Sequence, residues 1–111
     1  YRIYRKTIGL ETVQVARVLR STAVMFIEQG KLEASVDKYE EAQAIFRQVV
    51  GDEHPDLAMT LFNMARVKKD LGDVEGAVVG MREAQSIYWK RGIHDMAVDA
   101  ASFLASFEGA L

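Results

Sequence analysis

The sequence predicts an all-α chain folded as a stack of antiparallel helical hairpins, and three observations predict it. First, Gly9, Gly30, Gly51, Gly72 and Gly92 fall at steps of 21, 21, 21 and 20 residues. Second, the intervals between them carry apolar residues at helical spacing, as in Val74, Ala77, Val78, Met81, Ala84 and Tyr88, so each interval reads as one amphipathic helix of four to five turns. Third, residues 9–50 laid on 51–92 at an offset of 42 agree at twelve positions: Gly9, Glu11, Ala16, Leu19, Ala23, Gly30, Glu33, Val36, Glu41, Ala42, Gln43 and Ile45 with their partners. The repeating unit is therefore a pair of helices, and a period of this length marks a stacked array.

In chain order, "IYRKTIG" ends like the second helices "IFRQVVG" and "IYWKRG", so residues 1–8 are expected to close a preceding repeat, with a helix ending at Ile8. Helices are then expected near 12–29, 32–50, 55–71, 74–91 and 95–108. They form one repeat domain over 1–111, with repeats at 9–50 and 51–92 and a partial one at 93–111. Each ruler glycine suits the left-handed residue that follows a helix C-terminus. "GDEHPDLA" carries the chain's only proline. Pro55 at the first helical position presets φ and sacrifices no hydrogen bond. His54 is held out of the α region and serves as the N-cap, a place taken by Thr12 one repeat earlier, and "IHD" around His94 is its third copy. Asp52 and Glu53 sit ahead of the positive helix end. All connections are short, which makes neighbouring helices antiparallel.

These residues resemble tetratricopeptide repeats, and in particular the 42-residue variety of kinesin light chains and related proteins. The most specific stretch is "GDEHPDLAMTLFNMARVKKDLGDVEGAVVGMREAQSIY", in which "HPDLA", "TL.NMA", "LGD", Ala77 and "EA" stand where that family has them. Leu19, Ala23, Phe26, Tyr39 and Ala42 repeat the packing positions in the first unit, with Ser35 in place of a small alanine. Phe62 departs from the family's asparagine and Lys68 from its aromatic. The resemblance implies a right-handed superhelix whose first helices line a concave groove for peptide segments.

Composition narrows the function classes. Fourteen Lys and Arg against sixteen Asp and Glu leave a formal charge of −2 with the signs interspersed, which makes nucleic acid a poor partner. Without cysteine there is no disulfide framework, thiolate site or cysteine nucleophile. That suits an intracellular setting, the cytoplasm or an organelle interior, and leaves export open. No apolar run approaches the roughly 18 residues of a membrane span. The opening "YRIYRK" has no initiator Met and no signal-like pattern, so the sequence reads as a piece of a longer chain. His54 among Asp52, Glu53 and Asp56 reads as ordinary capping, and no histidine and serine share a catalytic spacing. "GDVEGAVVG" lacks the Lys and Ser/Thr of a phosphate loop. "ARVKKD" and "YWKRG", the latter with Trp89, read as solvated helix faces. Neither an enzyme nor a metal or cofactor site is expected. Met25, Phe26, Met59, Phe62, Met64, Met81 and Trp89 read as mostly core between layers.

Three surfaces are candidates for partner contact. Superposition on the family places Arg17, Arg20, Ser21 and Val24 beside Phe62, Asn63, Arg66 and Lys69 on the concave side, a basic face over an apolar floor. It suits an acidic extended protein segment held by Arg17, Arg20 and Arg66, with Asn63 bonding its backbone. Gly76, Val79 and Gly80 replace Ala34, Asp37 and Lys38 of the preceding repeat, so an outer face expected to be polar becomes small and apolar. Phe103, Leu104 and Phe107 lie on a last helix with no second helix after it, and an uncovered layer there would dock onto another protein or cause self-association. The expected function is a non-catalytic interaction scaffold, with a structural subunit or assembly factor of a large complex as the alternative.

Overall fold

A computed structural model describes residues 2–107, with side chains from Thr12 onward. Five helices follow one another: α1 (Arg2–Glu28), α2 (Leu32–Val49), α3 (Pro55–Asp70), α4 (Val74–Lys90) and α5 (His94–Ala105). No strand occurs among the described residues. Pairs α1/α2 and α3/α4 form hairpins, α2 packs on α3, and α4 on α5. The body measures 54 × 33 × 19 Å, the shape of layers added along one direction.

The glycine ruler marks four of the five boundaries. Gly30, Gly51, Gly72 and Gly92 all have φ between 72° and 93°, the left-handed region. Three of them close their helices in the same way. The amide after each glycine donates back across the last turn, Lys31 to Phe26 O, Asp73 to Lys68 O and Ile93 to Tyr88 O, each at 2.8 Å. Those six-to-one bonds satisfy carbonyls that the helix end leaves free. Gly51 differs: its own amide donates to Phe46 O at 3.1 Å, and residues 51–54 form a longer connection between hairpins. Arg47 reaches Asp52 at 3.1 Å, Lys90 reaches Glu53 at 2.8 Å, and Arg91 Nε donates to Glu53 O at 2.7 Å. The acidic pair of "GDEH" is thus clipped to the ends of both second helices.

Gly9 is the exception. α1 runs unbroken from Arg2 to Glu28, so the expected helix end at Ile8 and the N-cap at Thr12 are replaced by helix interior. Glycine there costs about 1 kcal/mol against alanine, a cost that a continuous helix carries without breaking. His54 does cap α3, its Nδ1 accepting from Asp56 N at 3.0 Å. His94, by contrast, is the first residue of α5, and Ile93 stands at the N-cap with no side-chain bond.

Alanines pack the helices closely: Ala16, Ala23, Ala42, Ala58, Ala77, Ala84, Ala97 and Ala100 are all buried. Tyr39, Phe46, Leu57, Met81, Ile87 and Tyr88 fill the space between layers. Ser35 is fully buried and meets its polar need locally, Oγ donating to Leu32 O at 2.7 Å. Of the large residues expected in the core, Met64, Met81 and Phe62 are buried, whereas Met25, Met59 and Trp89 are exposed. Periodicity finds an apolar stripe but does not say whether a neighbour covers it.

Candidate partner-binding groove

α1 and α3, the first helices of the two hairpins, both line one cleft, with Tyr39 of α2 between them. Pro55 and the His54 cap start α3 at the turn that sets Asp56 against α1. There Asp56 collects the first two expected groove cations: Arg17 Nη2 donates to its carboxylate at 3.1 Å, and Arg20 Nη1 to its carbonyl at 3.2 Å and carboxylate at 3.4 Å. Arg20 also lies 5.5 Å from the Phe46 ring centroid. Burial acts to raise the Asp56 carboxyl, but the Arg17 hydrogen bond and the charges of Arg20 and Arg17 outweigh it, leaving its pKa below the ordinary carboxylate value.

Lys69 is engaged as well. Its Nζ stands over the rings of Phe103 and Phe107, 5.4 and 5.5 Å from their centroids, a cation–π arrangement. Of the four cations that sequence placed on this face, Arg66 is left exposed without an ion-pair partner among the described residues. The basic face is therefore mostly spent on the fold itself. Phe62 is 9% exposed and meets Tyr88 edge-on with ring centroids 6.4 Å apart, so it forms floor more than contact surface. Ser21 is exposed.

Val24, Asn63 and Arg66 come together around a cleft of about 240 Å³, joined by Ile27, Tyr39, Val67 and Asp70. Tyr39 is 0% exposed, and its hydroxyl has no hydrogen-bond partner among the described residues. Asn63 lies beside that hydroxyl without reaching bonding geometry. Burial raises the phenol's pKa, and the charges of Arg20 and Arg66 and the proximity of Asn63 oppose the rise. Tyr88 is the second phenol without a partner, and burial pushes it up to about 12. Sequence marked Tyr39 as a packing position, which it is. Nothing in the pattern tells that this packing residue also lines a cleft.

The other two candidate surfaces change character. Gly80 is half-buried against α3: a Cβ there would stand 3.8 Å from Leu61 O and 3.9 Å from Ala65 Cβ. Gly76 serves the start of α4, its amide donating to the Asp73 carboxylate at 2.9 Å, where any Cβ would collide with that carboxylate. Of the outer trio Val79 alone is exposed, at 62%. At the far end α5 stops at Ala105, because Ser106 turns the chain and donates from Oγ to Phe103 O at 2.6 Å. Phe107 then folds inward, 6% exposed, its ring edge-on to Phe103 at 5.1 Å. Phe103 and Leu104 are half-buried against the core. The expected open apolar layer at Phe103, Leu104 and Phe107 is thus closed in large part by the chain itself.

Hairpins of this size, stacked one on the next and closed by repeated glycines, meet a direct family comparison. The family model described as tetratricopeptide repeat matches residues 14–88, more than half of the chain. The chain belongs to the tetratricopeptide repeat family. No curated protein matches it as a relative. Tetratricopeptide repeats generally mediate protein–protein interaction and form a scaffold that is generally non-catalytic. No helix among the described residues is long and apolar enough to cross a membrane, and none of their acidic and histidine side chains group as a metal site.

Proposed function

We propose that this chain is an interaction scaffold that holds an extended segment of another protein along the concave face of α1 and α3, with an acidic residue of that segment drawn to Arg66. The observation that carries the reading is the cleft where Val24 and Ile27 of α1 meet Asn63, Arg66 and Val67 of α3. It offers apolar walls and side-chain donors on the side of the repeat that neighbouring hairpins leave open. Asn63 is placed to bond the backbone of an extended chain. The 42-residue spacing supports the kinesin-light-chain variety of the repeat as the nearest kind. The same face, with its cations largely paired, gives no support to nucleic acid as a partner. Selection of a displayed library of short random peptides on the purified chain tests this. Enriched peptides should bind the native protein and lose binding to Arg66→Glu, whose helicity by circular dichroism should be unchanged. A library that yields no enrichment, or binders indifferent to Arg66, contradicts it.

A second reading, a subunit or assembly factor built permanently into a larger complex, has its own support in Val15, Val18 and Met25, which are exposed along one side of α1. A chain that needs such a neighbour should purify poorly folded or aggregated alone. A soluble monomer with a cooperative melt argues for the reversible binder.

A further inference from the structure

α1 carries a stripe that the described part of the fold leaves uncovered. Val15, Val18 and Met25 are 51%, 63% and 56% exposed, and Thr22 among them turns its hydroxyl back to Val18 O at 2.9 Å, so its polar need is met within the helix. One repeat on, the same four positions are Leu57, Thr60, Met64 and Val67, and all four are buried in α3, the helix that packs on α2. The stripe is therefore a packing face of the repeat without its neighbour. For α3 that neighbour is the helix just before it in the chain, brought back by the turn that follows Gly51. Before the stripe of α1 there is no such turn, because α1 runs unbroken from Arg2 to Glu28. The residues just ahead of the stripe continue the same helix and cannot fold back over it.

We infer that the stripe is covered by α1 of a second copy of this chain, the two helices running antiparallel about a twofold axis near Ser21. From Val15 to Met25 the steps are three, four and three residues, the spacing at which one helix meets another along a seam. In the antiparallel register Val15 stands against Met25 of the second copy, and Val18 against its Thr22. The flanking residues Gln14, Ser21 and Glu28 are exposed and follow one another at seven-residue steps. Gln14 then donates from its carboxamide to Glu28 of the second copy, and Ser21 meets Ser21. No like charges face each other across the seam. This self-complementarity, which a twofold contact demands, selects a copy of the same chain over an unrelated helix. The inference stands apart from the groove, whose cleft is lined on the α1 side by Val24 and Ile27.

Sedimentation of the purified chain over a wide range of concentrations tests this. The native chain should pass reversibly from monomer to dimer as its concentration rises. Val18→Glu, at an exposed position, should leave helicity unchanged and weaken the association about a hundredfold or more, because twofold symmetry places the buried charge in the seam twice. Met25→Glu supplies the second arm, and Val18→Leu should keep the dimer. The chain has no cysteine, so single cysteines report the orientation. Val18→Cys and Thr22→Cys chains, mixed and oxidised, should link to each other in preference to their own kind. A native chain that stays monomeric, an association that both glutamate variants leave intact, or cysteines that link like to like would each overturn the seam. None of these results bears on peptide binding in the groove, and a soluble, folded dimer removes the stripe from the support for a permanent subunit.

Discussion

Arg17, Arg20 and Asp56 show what a single residue conceals in a sequence. The two arginines read as free groove cations because they share one face of α1, yet their partner lies 36 to 39 residues away. No periodic signal points to it, since Gln14 holds the equivalent place one repeat earlier. Tyr39 was legible as a packing residue for the opposite reason: aromatic and aliphatic residues recur there. The Asp56 pKa lies below its unfolded value, so the carboxylate contributes stability above about pH 4 that is lost as pH falls through the folded pKa. Asp56→Asn should therefore cost about 1 to 2 kcal/mol near neutrality. The gap between native and variant melting temperatures should narrow as pH falls below about 4. A gap that stays constant down to pH 2 would mean that the pairing contributes nothing.

At the scale of the element, helix boundaries were legible at Gly30, Gly51, Gly72 and Gly92, reinforced by Pro55 after Gly51 and by the Asp73 cap after Gly72. Gly9 shares the period but lies inside α1, and the period alone misplaced a boundary there. The two kinds of glycine should separate cleanly on substitution. Gly9→Ala, in the interior of α1, should raise stability by about 0.5 to 1 kcal/mol, whereas Gly72→Ala, at φ 90°, should lower it by about 1 kcal/mol. Thermal melts of the pair decide this, and a destabilising Gly9→Ala would restore the boundary that sequence expected. In α4 the glycines of the outer face also meet local packing, Gly76 at the Asp73 cap and Gly80 near Leu61 and Ala65. Gly80→Ala fits at ordinary contact distance from Leu61 and Ala65 and should stabilise by about 1 kcal/mol. Gly76→Ala displaces the Asp73 cap and should gain nothing. Arg47 and Glu83 join α2 to α4 through two 2.7 Å bonds. With both side chains about a third exposed, a double-mutant cycle should give a coupling of about 1 kcal/mol or less.

For the whole molecule, the hairpin stack follows from a period and a stripe, two signals that a sequence displays openly, and the fold was legible almost in full. The proposed groove rests on superposition for its position, while the charges free on that face depend on pairings between layers that sequence does not display. At the far end a turn at Ser106 ends α5 at Ala105, where the pattern continued the helix to 108, and Phe107 is buried. Phe107→Ala should accordingly cost about 2 kcal/mol and loosen α5 in hydrogen exchange, while leaving α1 and α2 protected, since layers touch only their neighbours. Uniform loss of protection along the chain would contradict that picture. The central claim is that a protein segment lies on the concave face. Titrating a library-selected peptide into isotope-labelled chain and mapping the amide shifts tests it most directly. The account predicts that the largest changes cluster at Ser21, Val24, Asn63 and Arg66, with Val79 and Trp89 unmoved; changes centred on Val79 and Trp89, with the concave residues silent, would contradict it.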